Sequence, residues 1–139
     1  MAKTVATVLG VIFLIAGLAG FAFPGLLGTH LSLAHNLVHI ISGIIALYFG
    51  LAGTLAAARL FDIIFGIIYG LLGIAGFLLG SPGNSSMPGM MPSGHMFKVI
   101  PGVLELGSRD HALHILLGII FLIGGFLTKT AVNRTVDRT

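Results

Sequence analysis

Apolar and polar positions along the chain do not alternate with the period of a strand or of a half-buried helix. They fall into four long blocks, uncharged or nearly so. Val5 to Phe23 runs for 19 residues without a charge. Pro24, Gly25 and Gly28 then interrupt it. Further blocks run from about Leu31 to Gly53, from about Leu60 to Gly80 with Asp62 near its start, and from about His111 to Thr128. At 1.5 Å per residue, blocks of this length cross a hydrocarbon core of about 30 Å. Lipid offers no partner to backbone N–H and C=O groups, so each block is expected to be a helix. The sequence thus predicts an all-α integral membrane protein, a four-helix bundle in one transmembrane domain over residues 1–139. Lys3, the first apolar block and the small residues Gly20 and Ala22 also fit a leader peptide with a cleavage site. The reuse of that block later in the chain favours a span.

Shifting the chain by 56 residues lays the first block on the third. Lys3 falls on Arg59, Gly10 on Gly66, Gly17 on Gly73, Gly20 on Gly76 and Phe21 on Phe77. Shifting by 75 lays the second on the fourth. His39 falls on His114, Gly43 on Gly118, Leu47 on Leu122 and Gly50 on Gly125, within seven identities over twelve positions. The chain therefore reads as two tandem helical hairpins, a parallel repeat. Repeat one covers about 3–54, repeat two about 59–129, and a Met-rich loop occupies about 81–110.

Composition agrees. Of 139 residues 56% are hydrophobic and only 8% charged, against roughly a quarter charged in soluble domains. A soluble enzyme, a disordered chain and a disulfide scaffold are all excluded, the last by the absence of cysteine. The net charge of +3 comes from scattered cations, which form no nucleic-acid patch. Lys3, Arg59, Lys129, Arg134 and Arg138 fall on one side, Lys98 and Arg109 on the other. The positive-inside rule then places both termini in the cytoplasm and loops one and three outside. The 21 glycines recur at helical spacing, as in Gly10/Gly17, Gly43/Gly50, Gly66/Gly70/Gly73 and Gly118/Gly125. Small residues of this kind let membrane helices approach closely.

Asn36, His39 and Gly43 open the second block as N-x-x-H-x-x-x-G; Asp110, His114 and Gly118 open the fourth as D-x-x-x-H-x-x-x-G. A four-span chain with these motifs resembles a bacterial membrane family known as domain of unknown function 4383, over roughly Lys3 to Leu127. The resemblance implies four transmembrane helices in a bacterial inner membrane, and no activity.

Ionisable groups within spans are the first candidates for function. His35, Asn36, Asp110 and His111 lie near helix starts, where headgroup-level solvation and capping account for them. Asp62 and Arg59 read as an interfacial ion pair or as a carboxylate at a helix N-terminus, and Ser42 as bonded back to its own helix. Tyr48 and Tyr69, inside spans, are expected to bond a neighbouring helix. His39 and His114 lie deeper and are superposed by the repeat. On diagonal helices they suit the two axial positions of one tetrapyrrole, haem or chlorophyll, with Gly43 and Gly118 clearing space for the ring. Met87, Met90, Met91, His95 and Met96 in loop three offer soft ligands of the kind that take copper(I). No nucleophile–base pair or paired carboxylate is present. The sequence therefore favours a non-catalytic accessory or assembly subunit, packed in the lipid bilayer against a larger membrane complex or its own copies. Tetrapyrrole binding is the alternative and copper binding by loop three the third reading.

Overall fold

The computed structural model describes residues 1–129; Arg134 and Arg138, counted above for orientation, lie outside them. Four helices form the body: α1 (Ala2–Ala22), α2 (Leu33–Leu47), α3 (Leu55–Leu79) and α4 (Ser108–Leu127). A π-turn, Tyr48–Ala52, extends α2, and all four helices are long and apolar enough to cross a membrane. The chain is thus a multi-pass membrane protein. Apolar residues such as Ile15, Leu18, Ile44, Leu71 and Phe126 face outward, as a lipid-facing belt requires.

Helices α1 and α2 pack as one hairpin and α3 and α4 as another, and the hairpins meet through α1 against α3 and α4. Within each hairpin the glycines set the approach. A Cβ on Gly10 would lie 2.9 Å from Leu47 Cγ and 3.1 Å from the Gly43 carbonyl oxygen. A Cβ on Gly66 would lie 2.7 Å from Leu122 Cγ and 2.9 Å from the Gly118 carbonyl oxygen. Gly17 likewise faces Asn36 and Ile40, and Gly73 faces His111 and Ile115. Each second contact is the first one moved by 56 residues on one helix and 75 on the other. Between the hairpins lies an aromatic centre of Phe13, Phe61, Tyr69 and Phe121, joined by Ala6, Leu9 and Ala46. Phe13 and Tyr69 rings sit 5.1 Å apart.

Loop three holds strands rather than only turns. β1 (Ser81–Gly83), β2 (Ser93–Ile100) and β3 (Leu104–Leu106) form an antiparallel sheet in the order β1-β2-β3, with Ser81 opposite Met96 and Phe97 opposite Leu106. Apolar and polar residues do not alternate cleanly here, so the strand period was hidden. The sheet is fixed from beneath by Glu105, which is fully buried. Its carboxylate accepts from Ser85 Oγ and the Ser86 amide, both at 2.7 Å, and from the Gly102 amide at 2.8 Å. Burial works against ionisation, but these hydrogen bonds outweigh it and hold the Glu105 carboxyl down at about 2.

Helix starts differ from the sequence reading at two places. α3 begins at Leu55, so Asp62 lies two turns inside the helix rather than at its mouth. Arg59 does not pair with it: Arg59 Nε donates to the Gly125 carbonyl at 3.0 Å, and Asp62 is buried. Ser32, not Asn36, caps α2, accepting from the His35 amide at 3.2 Å. Asn36 lies in the helix body against Gly17 and Gly20.

Two outcomes follow from this packing. Gly118→Ala puts a methyl 2.6 Å from the Gly70 backbone nitrogen, whereas Gly70 itself faces open space. Gly118→Ala should therefore cost on the order of 1–3 kcal/mol in detergent thermal unfolding, and Gly70→Ala should cost nothing measurable; equal losses would contradict the packing described. Glu105 ionises below its ordinary value of 4.5, so its contribution is complete above about 4.5 and fades as the pH falls towards about 2. Amide exchange at Ser86 and Gly102 should accelerate across that window, and Glu105→Gln should show the fast exchange at every pH.

Candidate functional site: a buried histidine cluster

The end of the bundle that carries loops one and three is closed. Loop one turns through a 3-10 segment, Leu26–Gly28, and His30 then drops beneath the sheet. Asp110, in the first turn of α4, gathers this end. Its oxygens accept from the Gly107 amide at 2.8 Å, from the His30 amide at 3.1 and 3.2 Å, and from His30 Nδ1 at 3.1 Å. His30 Nε2 donates to the Met91 carbonyl at 2.7 Å. Both ring nitrogens of His30 thus face oxygen acceptors, and only the doubly protonated ring can donate to both. The Asp110 carboxylate raises the His30 pKa above the ordinary 6.5, over the opposing effect of burial.

This cover corrects the expected solvation of four residues. His35, Asn36, Asp110 and His111 lie in the first turns of α2 and α4 as expected, but they are buried there rather than solvated, because loop one and the sheet lie over the helix starts. His111 Nε2 donates to the His95 carbonyl at 2.7 Å, which ties α4 to β2. Asp110 does act at the helix start as the sequence suggested.

Beneath Asp110 three imidazoles converge. His35 and His39, one turn apart on α2, have ring centroids 4.3 Å apart, and His35 and His114 of α4 are 5.8 Å apart. One ring nitrogen from each of His35, His39 and His114 lies within 4.8 Å of the others. His35 Nδ1 donates to the His30 carbonyl at 2.8 Å and sits 4.0 Å from Asp110 Oδ1. That bond fixes the proton on Nδ1 and leaves the lone pair on Nε2. The Nδ1 atoms of His39 and His114 are buried without a hydrogen-bond partner. Below them lie aromatic rings: Phe13 is 5.5 Å from His39, and Tyr69 is 5.4 Å from His114. Tyr69 also donates to Ser42 Oγ at 3.2 Å, so Ser42 serves a neighbouring helix rather than its own.

Two apolar cavities flank the cluster. One of about 160 Å³ lies between α1 and α4 and includes Ile12, Phe13, Leu113 and His114. Another of about 190 Å³ lies between α2 and α3 and includes Ile68, Tyr69, Val38 and His39. Both are below the roughly 300–1,000 Å³ of pockets that enclose drug-sized ligands, and a tetrapyrrole is larger still. Gly43 and Gly118 clear no space for such a ring. Their missing side chains face the Gly10 carbonyl and Leu14, and Gly70 and the Gly66 carbonyl. They serve helix packing.

The loop-three residues are divided. Met87 and Met96 are buried, Met91 and His95 are exposed, and Met90 is half-buried. His95 and Met96 are neighbours on β2, so their side chains leave opposite faces of the strand. In the sequence the helix start alone accounts for His35, and His30 carries no role. The four-residue spacing of His35 and His39 was a signal for the first. Nothing local marked the second, because its contact with Asp110 spans 80 residues.

The family model described as Domain of unknown function (DUF4383) matches residues 3–127, and the chain belongs to that family. No curated protein and no solved structure matches the chain.

His30 is the group through which pH reaches this end. With its pKa raised, its stabilising contact is complete below 6.5 and is lost as the pH climbs through the folded value. An NMR titration should place the His30 midpoint above 6.5, and Asp110→Asn should move it down. A wild-type midpoint at or below 6.5 would remove the Asp110 interaction from the account.

Proposed function

We propose that this member of the DUF4383 family is a non-catalytic membrane protein that holds a small ligand in its histidine chamber, as an accessory component of a larger membrane assembly. One observation carries the reading: imidazoles from α2 and α4 meet inside an apolar bundle with ring nitrogens left unpartnered. Unpartnered buried polar groups cost stability, about 1–3 kcal/mol each, and a packing role would be filled better by leucine. Retaining them favours a binding role. The chamber has a carboxylate above it and aromatic rings below; among the described residues the hydroxyls that line it, Ser42 and Tyr69, bond each other and not an imidazole. That favours holding over turnover.

The recurrence of hairpin contacts at offsets of 56 and 75 supports a duplicated hairpin as the origin of the bundle. On the cation distribution, both termini face the cytoplasm of a bacterial inner membrane, and the chamber lies towards the outer leaflet. The matched positions of His39 and His114 favour a tetrapyrrole as the second reading. It demands that Phe13 and Tyr69 give way, and a Soret band lost on His39→Ala and His114→Ala would identify it.

The test separates binding from packing. In ligand-free protein, His39→Leu and His114→Leu should each leave helicity intact and raise unfolding stability by about 1 kcal/mol or more, as removal of an unpartnered buried group does. A loss of stability in both variants would show the imidazoles to be structural, and the proposal would fall.

A further inference from the structure

Resting on the chamber reading, the geometry points to the ligand's chemical class: a transition-metal ion held by His35, His39 and His114. The three nitrogens lie within 4.8 Å of one another. An ion bound at about 2.0–2.1 Å in tetrahedral geometry would draw them to roughly 3.4 Å, an inward movement of about an ångström that ring rotation can supply. The donor set is three imidazoles without carboxylate or thiolate, which suits zinc and copper rather than magnesium or calcium.

The surroundings are those of a ligand set. His35 donates its Nδ1–H to the His30 carbonyl, which aims Nε2 away from that carbonyl with its lone pair free. A backbone carbonyl on the far nitrogen is the support that metal-binding histidines use to fix ring orientation. Asp110 lies 4.0 Å from the same Nδ1 and brings negative charge next to the site without joining it, since its oxygens are engaged by His30 and Gly107. His39 and His114 have no such partner on Nδ1, so neither ring is held by a protein hydrogen bond at that nitrogen. Phe13 and Tyr69 close the floor beneath His39 and His114. This site is separate from the loop-three methionines: it is buried in the bundle and uses none of them.

The full chain, purified in detergent and stripped with chelator, is titrated with Zn²⁺ alone and with Cu⁺ alone under reductant. After desalting, elemental analysis should find one ion per chain in at least one arm, and X-ray absorption should show a nitrogen shell with imidazole scattering. His39→Leu and His114→Leu, the variants expected to fold, should each weaken binding at least tenfold, and His35→Ala should do the same. His95→Ala and Met91→Ala, on the exposed loop, should leave it unchanged. Retention of neither ion overturns the assignment, as does binding that survives the paired His39→Leu, His114→Leu change. Binding lost with His95→Ala or Met91→Ala would move the ion to the loop and overturn it equally. If the leucine variants gain stability while neither ion binds, the chamber stands and the metal alone is wrong. If they lose stability, the chamber reading itself has failed.

Discussion

The Asp110 carboxylate is the constraint on which the closed end of this protein depends. It sits in the first turn of α4, where an acidic group is favoured by the free N–H groups of the helix start. From there it reaches back 80 residues to His30 and holds both its backbone and its ring. A carboxylate that is buried is tolerable only when its lone pairs are met by donors. Here they are met by Gly107 and His30, and the second of these adds a positive charge whenever its ring is protonated. The interaction does more than join two loops. It keeps His30 in place, the His30 carbonyl orients His35, and His35 completes the cluster. Loss of one carboxylate would thus propagate to a ring that it does not bond.

Beneath that cap, membrane physics explains the rest of the bundle. Apolar surface gives helices in lipid little reason to associate, so close approach must come from small residues and dispersion. The glycine-to-carbonyl contacts at Gly10, Gly43, Gly66 and Gly118 bring each hairpin to near backbone contact. The two hairpins then leave a cleft on each side, and the linings correspond: Ile12 with Ile68, Phe13 with Tyr69, Val38 with Leu113, His39 with His114. The chamber is what remains where tight hairpins meet along a looser seam.

Much of this could be read from the chain alone, and what could not has a physical cause. Apolar blocks without charge specify helices in lipid because no other backbone conformation satisfies itself there. The histidine and glycine matches at offsets of 56 and 75 identified the pair at the centre. Burial of His35 and His111 was missed because it depends on a cover made from loop residues, whose fold is set by long-range contacts rather than by period. Arg59 and Asp62 were paired on spacing, but spacing fixes only which face two groups share. The Gly125 carbonyl, brought near by α4, took the guanidinium instead. Gly43 and Gly118 fit either helix packing or room for a flat ring on spacing alone; a neighbouring helix fills that space.

The cluster is not symmetric between the two hairpins. Under the correspondence that relates the hairpins, His39 answers to His114, but His35 answers to Asp110. Two identical rings facing each other offer an ion only two nitrogens, too few for a closed coordination shell. A third ring on α2 adds a donor, and the carboxylate on α4 supplies the charge and the hydrogen bonds that hold the covering loop. Had both positions been histidine, the buried end would lack an anion to hold His30. Had both been aspartate, two like charges would face each other in a medium that screens them poorly. One of each satisfies both demands, and that is the arrangement the two halves of this chain adopt.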